Sequence, residues 1–282
     1  MRGNEMNRRN FLRLSAAGVA TAALPGSLSA GRVASELDAA RAAMPDPALR
    51  SANVVCQGKP FSGRVTCGGQ PMAGVVVTNG RDSVRTNEKG EYVLPEFSKA
   101  RFISVTVPSG YSTMWFYVDA WARLGGFDFR LEHSKQTGGQ GCSFVHIADS
   151  EIKAAAYAGF WTDIRDLAAR NNCAFVVHTG DICGRQGLLA HAQVMNDLSM
   201  GRRMVYCLGN HDAVSAWPWG EAEFESIYGP AWYSFECGGI HFVVTPMDPS
   251  HCDRVPSYDE DQIADWLRGD LALVPKGMPV VL

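Results

Sequence analysis

The 282-residue sequence is 46% hydrophobic, 10% aromatic and 20% charged. Apolar side chains at that density exclude a disordered chain, a collagen-like repeat and a bare disulfide scaffold, and the length suits one large domain or two modest ones. The 26 basic against 29 acidic residues leave a net charge of −3, which gives no electrostatic basis for binding nucleic acid.

The N-terminus reads as an address. Asn7-Arg8-Arg9-Asn10-Phe11-Leu12-Arg13 is followed by an apolar, small-residue run from Leu14 to Leu24 and by small residues near Ser27–Ala30. Basic region, apolar region and cleavage-like residues stand in the order of a secretory signal. The apolar region has about a dozen residues, too few for a permanent membrane span. The paired arginines before Phe-Leu-Arg resemble a twin-arginine signal. That resemblance implies export of a folded bacterial protein by the twin-arginine machinery to the periplasm or the outside. Residues 1–30 are assigned to this signal and 31–53, rich in Ala with two prolines, to a linker. The eight cysteines contain no Cys-x-x-Cys pair, so no structural zinc site is expected. Cys173 and Cys207 lie in apolar runs and read as buried small hydrophobes. Cys56 and Cys67 could bridge in an exported protein, which spacing alone does not establish.

Residues 54–133 have strand grammar. Gly63–Cys67, Ala73–Val77, Ser83–Thr86, Glu91–Leu94 and Phe102–Val107 are candidate strands, with Asn79-Gly80 and Lys89-Gly90 as turns. No long helical period interrupts them, which predicts a small antiparallel sandwich. The stretch GRVTCGGQPMAGVVVTNGRDSVRTNEKGEYVLPE resembles the transthyretin-like or carboxypeptidase-regulatory sandwich, which implies a spacer or binding module without chemistry.

After a Gly-rich connector at 134–141 the rhythm alternates between strand and helix. Strands are expected at Phe144–Ala148, Ala174–Thr179, Met204–Leu208, Tyr233–Glu236 and His241–Thr245. Helices are expected at Ile152–Arg170, with Trp161, Ile164, Leu167 and Ala168 on one face, and at Leu188–Leu198, Glu221–Tyr228 and Asp259–Leu273. This predicts an α/β layered domain over 142–282, with functional loops at strand ends. Three polar motifs each follow a strand: His146-Ile147-Ala148-Asp149-Ser150-Glu151, Gly180-Asp181-Ile182-Cys183-Gly184 and Gly209-Asn210-His211-Asp212. Singly each could be a turn or helix cap. In series, about 30 residues apart, their hard oxygen, amide and imidazole groups suit a pair of Mn, Fe or Zn ions.

The motif series resembles the calcineurin-like metallophosphoesterases, whose pattern is Asp-x-His, Gly-Asp, Gly-Asn-His-Asp/Glu and two later His motifs. The resemblance implies a layered β-sandwich flanked by helices, two divalent metal ions and a phosphate-ester substrate hydrolysed by metal-activated water. It places Asp149 and Glu151 on the first metal, Asp181 between both and Asn210 on the second. It makes His211 the donor to phosphate or leaving oxygen, and Asp212 the residue that orients His211. Glu151 stands where the pattern has His, which favours a harder metal. The later His motifs belong after the strand that ends at Pro279-Val280-Val281-Leu282, so a chain continuing beyond Leu282 is expected over a natural stop. His241 and His251 are in the wrong context to replace them. His146 and His178 read as core or supporting residues. Arg185 could meet a substrate phosphate or form a surface ion pair. Trp217-Pro218-Trp219 could wall the site or pack beneath a loop. Two other readings stay open: a non-catalytic binder of a wall or surface polymer, and a metal-dependent hydrolase of another ester. The sequence leaves the oligomeric state open.

Overall fold

The computed structural model describes residues 60–120, 126–151, 158–182, 184–216 and 219–282. The signal, the linker and Cys56 lie outside the described residues.

Nine strands come first: β1 (Phe61–Cys67), β2 (Gln70–Pro71), β3 (Val76–Thr78), β4 (Ser83–Arg85), β5 (Glu91–Leu94), β6 (Phe102–Val105), β7 (Tyr111–Ser112), β8 (Tyr117–Asp119) and β9 (Phe129–His133). One sheet runs β2-β1-β9-β7, with β5 also paired to β1, and the other runs β4-β3-β6-β8. Phe61, Val65, Leu94, Phe129 and Leu131 from the first sheet share an apolar core with Val75, Val77, Ile103 and Val105 beside the second. The period-2 alternation of strands gives each sheet one such apolar face. The expected all-antiparallel pairing needs one correction. β1 and β9 are parallel, Val65 opposite Phe129, because β9 returns to β1 after the whole second sheet rather than through a hairpin.

The second half is layered. Strands β10 (Phe144–Ile147), β11 (Phe175–His178) and β12 (Arg203–Tyr206) form a parallel sheet. Strands β13 (Tyr233–Cys237), β14 (Ile240–Val244) and β15 (Val280–Val281) form another, with β13–β14 antiparallel and β14–β15 parallel. Phe175 and Val205 point into an aromatic layer with Tyr233, Phe235 and Phe242. Val176, Met204 and Tyr206, one residue out of phase, face the helical side.

That side carries α1 (Ala158–Arg170), α2 (Gly184–Val194), α3 (Asp197–Met200) and α4 (Ala222–Tyr228), while α5 (Glu260–Leu271) lies on the outer face of the second sheet, where Asp270 meets Ser234 and His241. Of the expected α1 face, Trp161, Ile164 and Ala168 are buried while Leu167 is exposed. The helix expected over Leu188–Leu198 is two. Asn196 takes an extended conformation and its side chain accepts from the amides of Leu198 and Ser199, starting α3. Asp259 caps α5 by accepting from Gln262 N–H at 2.8 Å. Among the described residues no helix is long and apolar enough to cross a membrane.

The halves meet along β6 and β13. Glu236 N–H donates to Val107 O at 2.8 Å, and the Thr106 and Ser234 hydroxyls lie 2.9 Å apart. Arg101 reaches across to Glu221 at 3.2 Å and Glu225 at 2.7 Å.

Candidate metal centre

β10, β11 and β12 run in register, Ile147 opposite His178 and His178 opposite Tyr206. Parallel strands end on one edge, so the loops carrying the three motifs emerge together. Two glycines let them touch. A Cβ on Gly180 would lie 2.5 Å from Gly209 N, and one on Gly209 would collide with Asp181 N and Oδ1. The Gly of Gly-Asp and the Gly of Gly-Asn-His-Asp are therefore one close approach seen from its two sides.

Backbone bonds zip the loops. Asp149 N–H donates to Gly180 O at 3.0 Å and Glu151 N–H to Asp181 O at 3.3 Å. His211 N–H donates to Asp181 Oδ1 at 3.2 Å. Asp149, Glu151 and Asp181 all hold left-handed backbone, with φ of 51°, 42° and 56°. Such conformations cost roughly 1 kcal/mol or more each for residues with a Cβ and persist where surrounding bonds enforce them. Three of the expected ligand positions are thus strained and tied to one another.

Asp149 and Glu151 are exposed, and Asp181 and Asn210 half-buried. Three carboxylates and a carboxamide on neighbouring loops are the hard oxygen donors a divalent cation takes, so the donor chemistry fits. Among the described residues no three His, Cys, Asp or Glu side chains already close on a common point.

His211 and Asp212 occupy a 3-10 turn, Asn210–Asp212, and point different ways. The His211 ring is half exposed, with Nδ1 2.9 Å from Asp253 Oδ2. Asp253 N–H also donates to Asn210 O at 3.1 Å. The hydrogen bond and charge of Asp253, then the charges of Asp181 and Glu151, raise the His211 pKa. Asp253 is thus the carboxylate on His211 Nδ1, where the resemblance implied Asp212. Asp212 is fully buried, and its Oδ2 accepts from Asp181 N–H at 2.9 Å and Gly209 N–H at 3.0 Å. From that buried position Asp212 ties the Asp181 loop to the Gly209 turn. Asp253 belongs to no motif, and nothing in its sequence context marks it.

Beneath the loops lies an imidazole cluster. His178 is fully buried; its Nδ1 accepts from Gly180 N–H at 3.2 Å and its Nε2 lies 2.8 Å from Ser150 Oγ. Burial, helped by His146, lowers its pKa to about 4. His191 stacks edge-on against it, ring centroids 4.9 Å apart. Tyr206 OH donates to Met195 O at 2.6 Å, so it accepts from His191 Nδ1 at 3.1 Å. Burial lowers the His191 pKa to about 2. His146, half of the expected supporting pair, is exposed, its Nε2 2.9 Å from Thr179 Oγ1.

The remaining candidates sit elsewhere. His241 is buried, its Nε2 2.8 Å from Asp270 Oδ2, and His251 is exposed 3.8 Å from Asp248. Trp219 packs its ring 5.1 Å from the Arg101 guanidinium. Trp217, Pro218 and the Arg185 side chain lie outside the described residues. Cys173 is buried, as expected of a small hydrophobe, while Cys207 is half-buried and burial raises its thiol to about 12.

With this geometry in place, comparison with known families identifies the class. Residues 142–275 match the family described as Calcineurin-like phosphoesterase, and residues 59–119 match the N terminal of Calcineurin-like phosphoesterase. The chain belongs to the calcineurin-like phosphoesterases. Its first module is matched as that family's own N-terminal region. Residues 5–25 match the signal sequence of the twin-arginine translocation pathway, so the protein is exported, to the periplasm or beyond the cell. No curated protein matches the chain.

Proposed function

We propose that this exported protein hydrolyses a phosphate ester with two divalent cations held by Asp149, Glu151, Asp181 and Asn210. The observation that carries this reading is the convergence of left-handed backbone on Asp149, Glu151 and Asp181, the three carboxylates expected to bind metal. A bound cation pair would neutralise phosphate oxygens and acidify water. Asp181 is the residue suited to both cations, since its loop is hydrogen-bonded to the Asp149–Glu151 loop and to the Asn210–Asp212 turn. His211 would hold a proton for the leaving oxygen: Asp253 occupies Nδ1 and leaves Nε2 to donate. The division at 134–141 belongs to the same proposal, with the sandwich acting as a module beside the catalytic half.

Release of inorganic phosphate from an aryl phosphate, with and without Mn²⁺, tests it. Turnover that needs the metal is expected. A folded chain that binds Mn²⁺ and releases no phosphate from mono- and diester panels would overturn it. A second reading, a phosphoesterase fold kept for binding alone, draws on the lack of a preformed three-ligand cluster among the described residues. A purified chain that neither contains nor takes up metal would favour it.

A further inference from the structure

The metal reading leaves open what aims the carboxylates. A ligand loop held in left-handed backbone relaxes unless something beneath it is fixed, and one buried side chain, His178, touches both carboxylate loops from below. His178 closes β11 and is wholly buried. A backbone amide can only donate, so the 3.2 Å contact from Gly180 N–H requires an unprotonated Nδ1. The ring proton then sits on Nε2 and is given to Ser150 Oγ at 2.8 Å. Ser150 lies between Asp149 and Glu151, the two left-handed residues of the first loop, and Gly180 precedes Asp181, the left-handed residue of the second. His178 is itself anchored, its carbonyl accepting from Cys207 N–H at 2.9 Å.

We propose that His178 is a positioning residue: one imidazole, locked as the Nε2–H tautomer, clamps the Ser150 hydroxyl to the Gly180 amide and so aims Asp149, Glu151 and Asp181. It touches neither substrate nor metal. The inference rests on the proposed metal centre, and it makes Ser150, the unremarkable middle residue of the first motif, the contact through which the clamp acts. Partners that orient ligands in this way are worth roughly 10–100-fold in metal affinity.

The test combines Mn²⁺ calorimetry with ring ¹⁵N NMR on the full chain. Ser150→Ala removes the contact at a half-buried site and should weaken Mn²⁺ binding about tenfold, with the melting temperature kept. Ser150→Thr restores the hydroxyl and should recover most of that affinity. His178→Gln replaces the rigid ring by a flexible amide with one donor group and one acceptor, which cannot hold both contacts in the imidazole's fixed geometry, and should fall between wild type and a chain lacking both contacts. In wild type the His178 ring should show a protonated Nε2 and a bare Nδ1. A protonated Nδ1, or equal Mn²⁺ affinity in S150A and wild type, overturns the clamp while leaving the metal centre intact. Wild type that binds no Mn²⁺ overturns the metal centre and the clamp with it.

Discussion

The two halves bury polar groups of different kinds. In the sandwich the buried polar residues among those described are Thr78, Asn79, Thr86, Ser104 and Thr106, all neutral. In the α/β half they are the ionisable His178, His191, Asp212, Glu221, Glu223, Glu225, His241 and Asp270, with Ser234 the non-ionisable exception. Backbone strain divides the same way. Every described non-glycine residue with positive φ lies in the second half, while the sandwich assigns its left-handed positions to glycine. Burying an ionisable group is unfavourable unless it is paired, and left-handed backbone is unfavourable at a residue with a Cβ. One half therefore holds relaxed packing, and the other holds the ionisable burial and the backbone strain that stability alone would not select.

The largest expected break in that contrast is at Asp181. Asp181→Asn keeps the shape and the acceptor for His211 N–H but removes the charge, and kcat/KM for phosphate release should fall about 10³-fold or more, on the order of 4 kcal/mol. The unfolding midpoint should stay close to wild type, and a midpoint that dropped with activity would make Asp181 structural. Next is the seam between the halves. Arg101 contributes one guanidinium to two buried carboxylates, Glu221 and Glu225, beneath Trp219 and Trp232. Arg101→Ala strands those charges and should destabilise by about 3–5 kcal/mol in urea at pH 8. Burial already raises Glu225 to about 7 against the pull of Arg101. The carboxyls of the variant can therefore take up protons in acid, and the loss should shrink at pH 5.5. A loss that grew in acid would show that the seam does not rest on these charges.

What the sequence disclosed follows from how local each device is. The Gly-Asp and Gly-Asn-His-Asp motifs are legible because close approach of two loops demands glycine on both sides, a constraint each loop records for itself. Strand and helix alternation is legible for the same reason, since period and turn residues are local. Asp253 is not legible: it meets His211 across 42 residues through a loop without a motif. Arg101, 124 residues from Glu225, reads as an ordinary polar residue before a strand. The parallel pairing of β1 with β9 escaped because strand pattern records which face is buried and not which neighbour lies alongside. The motif marks Asp212 without showing that it is buried against Asp181 and Gly209 amides, a placement set by tertiary packing.

The imidazole cluster gives a smaller and more specific break. His191 Nε2 is buried without a hydrogen-bond partner among the described residues, and its folded pKa of about 2 lies far below the roughly 6.5 of an unfolded histidine. Between those values the unfolded chain binds one proton that the folded chain refuses, so this residue removes stability as pH falls below about 6.5, by about 1.4 kcal/mol per pH unit. His178 acts in the same direction down to about 4, and Glu225, raised to about 7, acts in the opposite one. His191→Phe isolates one term. It fills the same aromatic niche against Trp161 and Tyr206, removes the orphaned nitrogen, and should leave stability at pH 7.5 within about 1 kcal/mol. The slope of unfolding free energy against pH between 6 and 4.5 should lose one proton's worth, and an unchanged slope would mean that His191 is already charged in the folded chain.

The smallest effect belongs to the sandwich. Arg64 and Glu91 pair across β1 and β5 at 2.7 Å, with side chains 53% and 43% exposed. The bond to Arg64, then that to Asn87, lowers the Glu91 pKa, and this pair tests whether charge matters on that sheet. Water already solvates both groups, and holding two flexible side chains together offsets most of the attraction. Glu91→Gln should leave the melting temperature unchanged within error in low salt and in 0.5 M NaCl alike. If it instead shifted the midpoint by several degrees, and salt abolished the shift, the sandwich too would depend on charge for its stability, and the division between a relaxed half and a strained one would rest on backbone alone.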